Sequence, residues 1–247
     1  MTALPEIASS PALVMLDRAS GEAVPTVPAG VTLGDADPFV SGREVAWVID
    51  GAAAGRVGFA GAVDVDSFPH TETMIVLAGA LTLSVAGAPV LTLSPGSGVV
   101  IARGTRLRIE ATQGTRWAFY AATTGTSSVP GITPLRADAA LAPSAGPPAD
   151  LLIGPAPQCR SHNAFIDEAA KLRAGLWDST PWARRSRPHK LSELMHILEG
   201  TVDLTGGDGT VLTVGPGDTV LVAQGAPCAW DSGVHVTKFY VVQEATG

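Results

Sequence analysis

The chain has 247 residues, 46% of them hydrophobic and 16% charged, with 28 glycines and 19 prolines. Its formal charge of −7 works against a nucleic-acid or anionic-membrane partner, since both draw on clustered Lys and Arg. Abundant turn residues with little charge point to a mostly β chain with few long helices.

In chain order, residues 1–30 read as an extended lead-in that packs on a barrel. The start, Met1-Thr2-Ala3-Leu4-Pro5-Glu6, has no basic stretch followed by an apolar one. No apolar run approaches the roughly 20 residues that span a bilayer, so the protein is expected to be soluble and cytoplasmic. Residues 31–120 form a first domain, in which Leu81-Thr82-Leu83-Ser84-Val85 alternates as a strand with one buried face. Residues 121–150 are small, Pro-rich and almost uncharged, which predicts an irregular linker. Residues 151–247 form a second domain. A short helix is expected over 164–173, with Asn163 as N-cap, Asp167 four residues before Lys171, and Gly175 just past the end. Thr201-Val202-Asp203-Leu204-Thr205 alternates as a strand, and Gly206-Gly207-Asp208-Gly209 suits a tight hairpin turn where Ala86-Gly87-Ala88-Pro89 serves the first domain. Neither Gly-rich turn leads into a helix, so neither reads as a phosphate loop.

The two domains are copies. Residues 72–110 recur without a gap at 193–231, a shift of 121. Glu72 falls on Glu193, Met74 on Met195, Gly79 on Gly200, Pro95-Gly96 on Pro216-Gly217, and Gly104 on Gly225. Matching turn glycines together with core positions implies duplication of one supersecondary unit. Regularly spaced short strands, repeated twice, predict two small antiparallel sandwiches or barrels.

Glutamate followed after six residues by glycine, and then Pro-Gly-Asp with a later Ala-x-Gly, resembles the two motifs of the cupin superfamily. The resemblance implies an all-β fold of two tandem cupin (jelly-roll, double-stranded β-helix) barrels, a bicupin. In the second copy His189, Glu193 and Gly200 fit the first motif, with Arg187 in place of its first histidine. Gly217 and Gly225 fit the second, where Cys228 replaces the histidine. In the first copy Asp66, Phe68 and Leu107 stand where the histidines would be. With Trp177 ahead of the first motif and Trp230 after the second, the chain is similar to the branch that includes ureidoglycine aminohydrolase and the ethanolamine-utilisation cupins. That branch implies a metal-dependent hydrolase acting on a small nitrogen- or carboxylate-bearing metabolite, active in the C-terminal cupin alone.

The residues support the same site independently. On a strand, Arg187, His189, Leu191, Glu193 and Met195 share one face. An imidazole from His189, a carboxylate from Glu193 and a thiolate from Cys228 could hold a divalent Mn, Fe, Ni or Zn ion and make a Lewis acid. Glu193 and Arg187 are then the catalytic candidates, with Arg187, Lys190 and Trp230 for the substrate. The competing reading pairs Arg187 with Glu193, which removes the charge and lone pairs a metal needs and leaves a metal-free ligand-binding or sensing module. Arg184, Arg185, Arg187 and Lys190 form the only basic cluster, a solvated rim or an attractor for a carboxylate. His196, on the opposite face from Glu193, is an exposed or interface residue, and His162 and His235 have no partner at a recognisable spacing. Cys159 and Cys228 are expected as reduced thiols; Cys228 could also be a nucleophile with His189 as base. No Gly-x-Ser-x-Gly elbow is present. The expected partner is a small-molecule ligand, and sheet edges covered by pairing one barrel with the other or with another chain predict either a monomer with internal pseudo-symmetry or a homodimer.

Overall fold

A computed structural model describes residues 13–24 and 29–244. Of the expected lead-in, residues 1–12 and 25–28 lie outside the described residues. The strands in chain order are β1 (Leu13–Asp17), β2 (Arg43–Ile49), β3 (Ala52–Gly58), β4 (Gly61–Val65), β5 (Thr71–Ala78), β6 (Leu81–Ser84), β7 (Leu91–Leu93), β8 (Gly98–Ile101), β9 (Leu107–Ala111) and β10 (Arg116–Ala122). They continue as β11 (Ile132–Leu135), β12 (Ala142–Pro143), β13 (Leu152–Ile153), β14 (Cys159–Asp167), β15 (Leu172–Ser179), β16 (Trp182–Pro188), β17 (Ser192–Glu199), β18 (Val202–Gly206), β19 (Val211–Val214), β20 (Thr219–Val222), β21 (Pro227–Ser232) and β22 (Val236–Gln243).

These strands make four antiparallel sheets in two matching pairs. The first barrel combines the order β11-β8-β5-β10-β3-β2 with β4-β9-β6-β7. The second combines β1-β20-β17-β22-β15-β14-β12 with β13-β16-β21-β18-β19. Each large sheet ends in a strand from outside its own repeat. β1, which precedes the first barrel, pairs with β20 of the second, whereas β11, from the Pro-rich segment, pairs with β8 of the first. The equivalent edge is covered in each case, so neither large sheet leaves a ladder open on that side.

The first barrel closes around Met74, Val76, Leu83, Ile109 and Trp117, all buried. A second cluster fills the other barrel and continues through Trp47, Ile75 and Tyr120 on the outer face of the first barrel's large sheet. Every residue from Thr71 to Val76 is therefore buried, because both faces of β5 are covered.

No α-helix occurs among the described residues; a 3-10 turn spans Ala149–Leu151. The helix expected over 164–173 is instead the hairpin of β14 and β15. Phe165, Asp167, Leu172 and Ala174 are buried and Ile166 and Arg173 exposed, the period of two that belongs to strands. An isolated helix of about ten residues is marginal, so sheet pairing prevails. Gly175 does not follow a helix; a Cβ there would sit 1.9 Å from the carbonyl oxygen of His162, opposite a bulge in β14. Asp167 does not support Lys171 but accepts from the backbone N–H groups of Ser127 and Ala170 and from the hydroxyls of Thr126, Ser127 and Ser128. Burial would raise its pKa, yet these donors bring it down to about 2.

The turn glycines of the repeat have equivalent conformations. Gly79 and Gly200 have φ of +73° and +80°, and a Cβ on Gly200 would lie 2.0 Å from the carbonyl oxygen of His235. Among the described residues no helix is long and apolar enough to cross a membrane.

Candidate functional site

The repeated glutamate lies inside each barrel, and its neutralisation differs between them. In the first barrel Glu72 on β5 is fully buried, with Arg43 Nη2 at 2.9 Å and His70 Nε2 at 2.6 Å from its Oε2. Arg43 also grips Asp37 through Nε at 2.7 Å and Nη2 at 3.0 Å. Its guanidinium lies 4.2 Å from the Phe119 ring centroid, and Phe39, Phe68 and Trp117 fill the space around it. Burial would raise the pKa of Glu72, but Arg43 and His70 hold it below the usual carboxylate range. Because Arg43, Glu72 and His70 are at most 2% exposed at their side chains, this network is sealed from solvent.

In the second barrel Glu193 on β17 remains 14% exposed at its side chain and His189 13%. Lys238 on β22 donates to Glu193 Oε1 at 3.0 Å. Its ammonium lies 4.6 Å from the Trp177 ring centroid and 4.9 Å from that of Trp230, and 2.9 Å from Met195 Sδ. Trp182 stacks on the Trp230 ring, centroids 5.3 Å apart, and Trp177 meets it edge-on at 5.9 Å. Burial alone would raise the pKa of Glu193, but Lys238, then His189 and Arg184, lower it, and the carboxylate is held ionised. His189 Nδ1 lies 2.7 Å from the Leu191 carbonyl oxygen, which can only accept, so Nδ1 carries a proton. Burial lowers the His189 pKa against the opposing pull of Glu193. In the neutral ring Nε2 then presents a lone pair toward Glu193 Oε2, 3.4 Å away.

The structure brings His189 and Glu193 together as the sequence predicts, but not the set expected to hold a metal. Cys228 is buried, its Sγ turned to the Ala229 carbonyl oxygen at 3.2 Å, and burial pushes the thiol pKa up, against thiolate formation. Among the described residues no three His, Cys, Asp or Glu side chains converge as a metal-binding group. With an ammonium on Glu193 and a protonated thiol at Cys228, the residues present do not fit a divalent ion.

The cation on Glu193 is Lys238, not Arg187. Arg187 lies opposite Cys228 in the β16–β21 ladder, and its Nε is buried without a hydrogen-bond partner among the described residues. Lys190 is exposed on the rim, whereas Trp230 is 5% exposed and bonds Ser232 Oγ through Nε1 at 3.0 Å. His196 is buried, not exposed, its Nδ1 2.8 Å from Thr219 Oγ1. His235 does have a partner, Asp178 at 3.3 Å. Cys159 and Cys228 are both free.

Sequence reasoning missed Lys238 and Arg184. Lys238 stands where the 121-residue shift places Trp117, and a lone lysine at an inward position of Val236-Thr237-Lys238-Phe239-Tyr240 was the available signal. Arg184 was read only as part of a basic run, yet it is 5% exposed. A groove of about 230 Å³ on the first barrel runs past Asp64, Asp66, Arg106 and Arg108. Its charges already pair, Arg106 with Asp66 at 3.2 Å and Arg108 with Asp64 at 2.9 Å.

Residues 167–240 match the EutQ-like cupin domain family. A protein of unknown function from Pseudomonas syringae pv. tomato is 47% identical over 94% of this chain and 100% of its own, with a TM-score of 0.90. The cupin 2 conserved barrel domain protein from Leptotrichia buccalis is 10% identical, covering 81% of this chain and 87% of its own at a TM-score of 0.54. The salicylate 1,2-dioxygenase from Pseudoaminobacter salicylatoxidans is 14% identical, covering 84% and 75% at 0.52. At such identities the last two show a common fold alone. No curated protein matches the sequence.

Proposed function

The chain belongs to the cupin superfamily, in one family with the Pseudomonas syringae protein, and on that premise we propose that it is a bicupin whose second barrel binds a small polar molecule without a metal. The observation that carries this reading is the 3.0 Å contact between Lys238 Nζ and Glu193 Oε1. The ammonium supplies the positive charge that a metal would bring and engages one carboxylate oxygen, Oε1, leaving Oε2 toward His189 Nε2. A metal-dependent hydrolase of the ureidoglycine aminohydrolase type needs a third donor beside His189 and Glu193, and the buried thiol of Cys228 is a poor one.

The site suits a ligand with an N–H or O–H donor. Such a donor placed between His189 Nε2 and Glu193 Oε2 satisfies two acceptors that otherwise converge at 3.4 Å. Trp177, Trp182 and Trp230 form an apolar wall beside it and limit the water that competes for those hydrogen bonds.

Elemental analysis of the purified protein beside His189→Ala tests the reading. The expected result is less than a tenth of an equivalent of Mn, Fe, Ni or Zn in both proteins, with no change in melting temperature on adding these ions. One equivalent of metal in the parent protein, lost in His189→Ala, overturns it.

A further inference from the structure

We infer that Lys238 is a covalent anchor, its amine forming a Schiff base with a short hydroxy-aldehyde bound in the second barrel; this rests on the metal-free reading above and adds a reacting group. The chain has three lysines, of which Lys171 and Lys190 are exposed and Lys238 is 5% exposed. The 121-residue shift puts the fully buried Trp117 at the equivalent place of the first barrel, so the barrel frame accepts an indole there and does not require an amine. The two counterions also differ in kind. Arg43 beside Glu72 cannot lose its proton, whereas Lys238 beside Glu193 can, and only a lysine then becomes a nucleophile.

The surroundings of Nζ suit that reaction. It lies 3.0 Å from Glu193 Oε1, 2.9 Å from Met195 Sδ, and over the rings of Trp177 and Trp230. A thioether is a weak acceptor, so the contact with Met195 yields readily to a carbonyl group. Glu193 is placed to take a proton from the ammonium. Its other oxygen faces His189 Nε2 at 3.4 Å, and both side chains are partly exposed, which gives the proton a route to water.

The step balances without a further reagent. Glu193 takes one proton from the Lys238 ammonium, and the free amine attacks the carbonyl carbon. A C–N bond forms, the C=O π bond opens, and a proton passes from nitrogen to oxygen to give a carbinolamine. Glu193 then returns its proton to the hydroxyl, the C–O bond breaks, and water leaves an iminium. Nitrogen is cationic before and after, so Glu193 and the two indole faces stabilise the adduct as they stabilise the free lysine. A hydroxyl on the carbon next to the carbonyl donates to His189 Nε2 or Glu193 Oε2, which a simple aldehyde cannot do. Enclosure of the amine between two rings restricts the ligand to a short chain.

Reductive trapping of the full chain with glycolaldehyde and cyanoborohydride, read by peptide mass spectrometry, tests this directly, with Lys171 and Lys190 as internal controls. Lys238 should be alkylated about tenfold faster than either despite its burial, and acetaldehyde, which lacks the hydroxyl, should show a smaller preference for it. Glu193→Gln should slow the reaction at Lys238 by about a hundredfold and leave the two exposed lysines unchanged. Labelling of Lys238 no faster than that of Lys171 and Lys190 overturns the inference, and metal-free binding still stands if the same sample carries no metal. A stoichiometric metal in that sample overturns the broader reading and this inference with it. Equal preference with acetaldehyde overturns the hydroxy-aldehyde as the ligand class, and an unchanged or faster rate at Lys238 in Glu193→Gln overturns Glu193 as the proton acceptor. The comparison of three lysines within the parent protein does not depend on any variant folding.

Discussion

Both barrels bury a glutamate at the same position of the repeat, and they neutralise it from different strands. In the first barrel the cation is Arg43 on β2, locked between Glu72 and Asp37 under an aromatic lid. In the second it is Lys238 on β22, held by one carboxylate and two indole rings, beside a histidine and a carboxylate that water still reaches. The first network is sealed from solvent, with Arg43 Nη1 and Glu72 Oε1 buried and without hydrogen-bond partners among the described residues. The second has a partly exposed histidine and carboxylate, with Arg187 Nε buried nearby and without a hydrogen-bond partner among the described residues. Duplication thus preserved the frame of turns and core residues while a few inward substitutions, Phe68 against His189 and Trp117 against Lys238, separated a barrel whose glutamate is sealed from one whose glutamate water still reaches.

The largest expected effect tests the sealed side. Arg43→Met leaves Glu72 and Asp37 without their cation in a dry interior, and urea unfolding should show a loss of about 3–5 kcal/mol. A loss under about 1 kcal/mol would show that the first barrel admits water and erase the contrast.

The next concerns a buried histidine in the second barrel's large sheet. Burial holds the pKa of His196 at about 4, below its ordinary 6.5, whereas the first copy has Ile75 at that position. The unfolded chain then binds more protons between these values. Stability from the neutral ring is complete above about pH 6.5 and is lost as the pH falls toward 4, about 3 kcal/mol in all. Urea midpoints at pH 7 and pH 4 should fall further in the parent protein than in His196→Gln. Equal pH dependence in the two proteins counts against a buried neutral ring.

Lys238→Met should cost less than Arg43→Met, about 1–3 kcal/mol, because water can reach Glu193. In the same variant the Glu193 carboxyl should titrate at higher pH, readable by carbon-13 NMR. An unchanged titration would mean that Lys238 is not its main counterion. The smallest effect is expected for Cys228→Ala, about 1 kcal/mol from one lost buried sulfur, with ligand binding and metal content unchanged. Loss of a bound metal in that variant would return Cys228 to a ligand's role and join the second barrel to the metal cupins.

Much of this was legible in the chain itself. The 121-residue shift aligned Gly79 with Gly200 and Glu72 with Glu193, and the strands built on those positions match one for one in sheet order. His189 and Glu193 do meet, but not along one strand face as their spacing predicted, because His189 lies in the turn between β16 and β17 and only Glu193 is on β17. The segment 164–173 misled because alanines and a favourable charge spacing favour a helix locally, while Gly175, the β14 bulge and the partner strand act only in the folded sheet. The expected pair of Arg187 and Glu193 failed for a related reason. Arg187 and Glu193 were read as one strand, whereas they lie on β16 and β17, and Lys238 reaches Glu193 from the neighbouring β22, 45 residues away.

By itself the sequence determined the duplication, the β class and the turns, because all of these follow from local conformation and period-two burial. Only the tertiary structure decided which cation meets each glutamate, that Cys228 turns its sulfur to a backbone carbonyl, and that β1 and β11 cover each other's barrels. Those outcomes depend on which strands become neighbours and which way side chains turn within a closed interior. Contacts across a sheet are set by register between distant segments, so no local pattern in the chain encodes them.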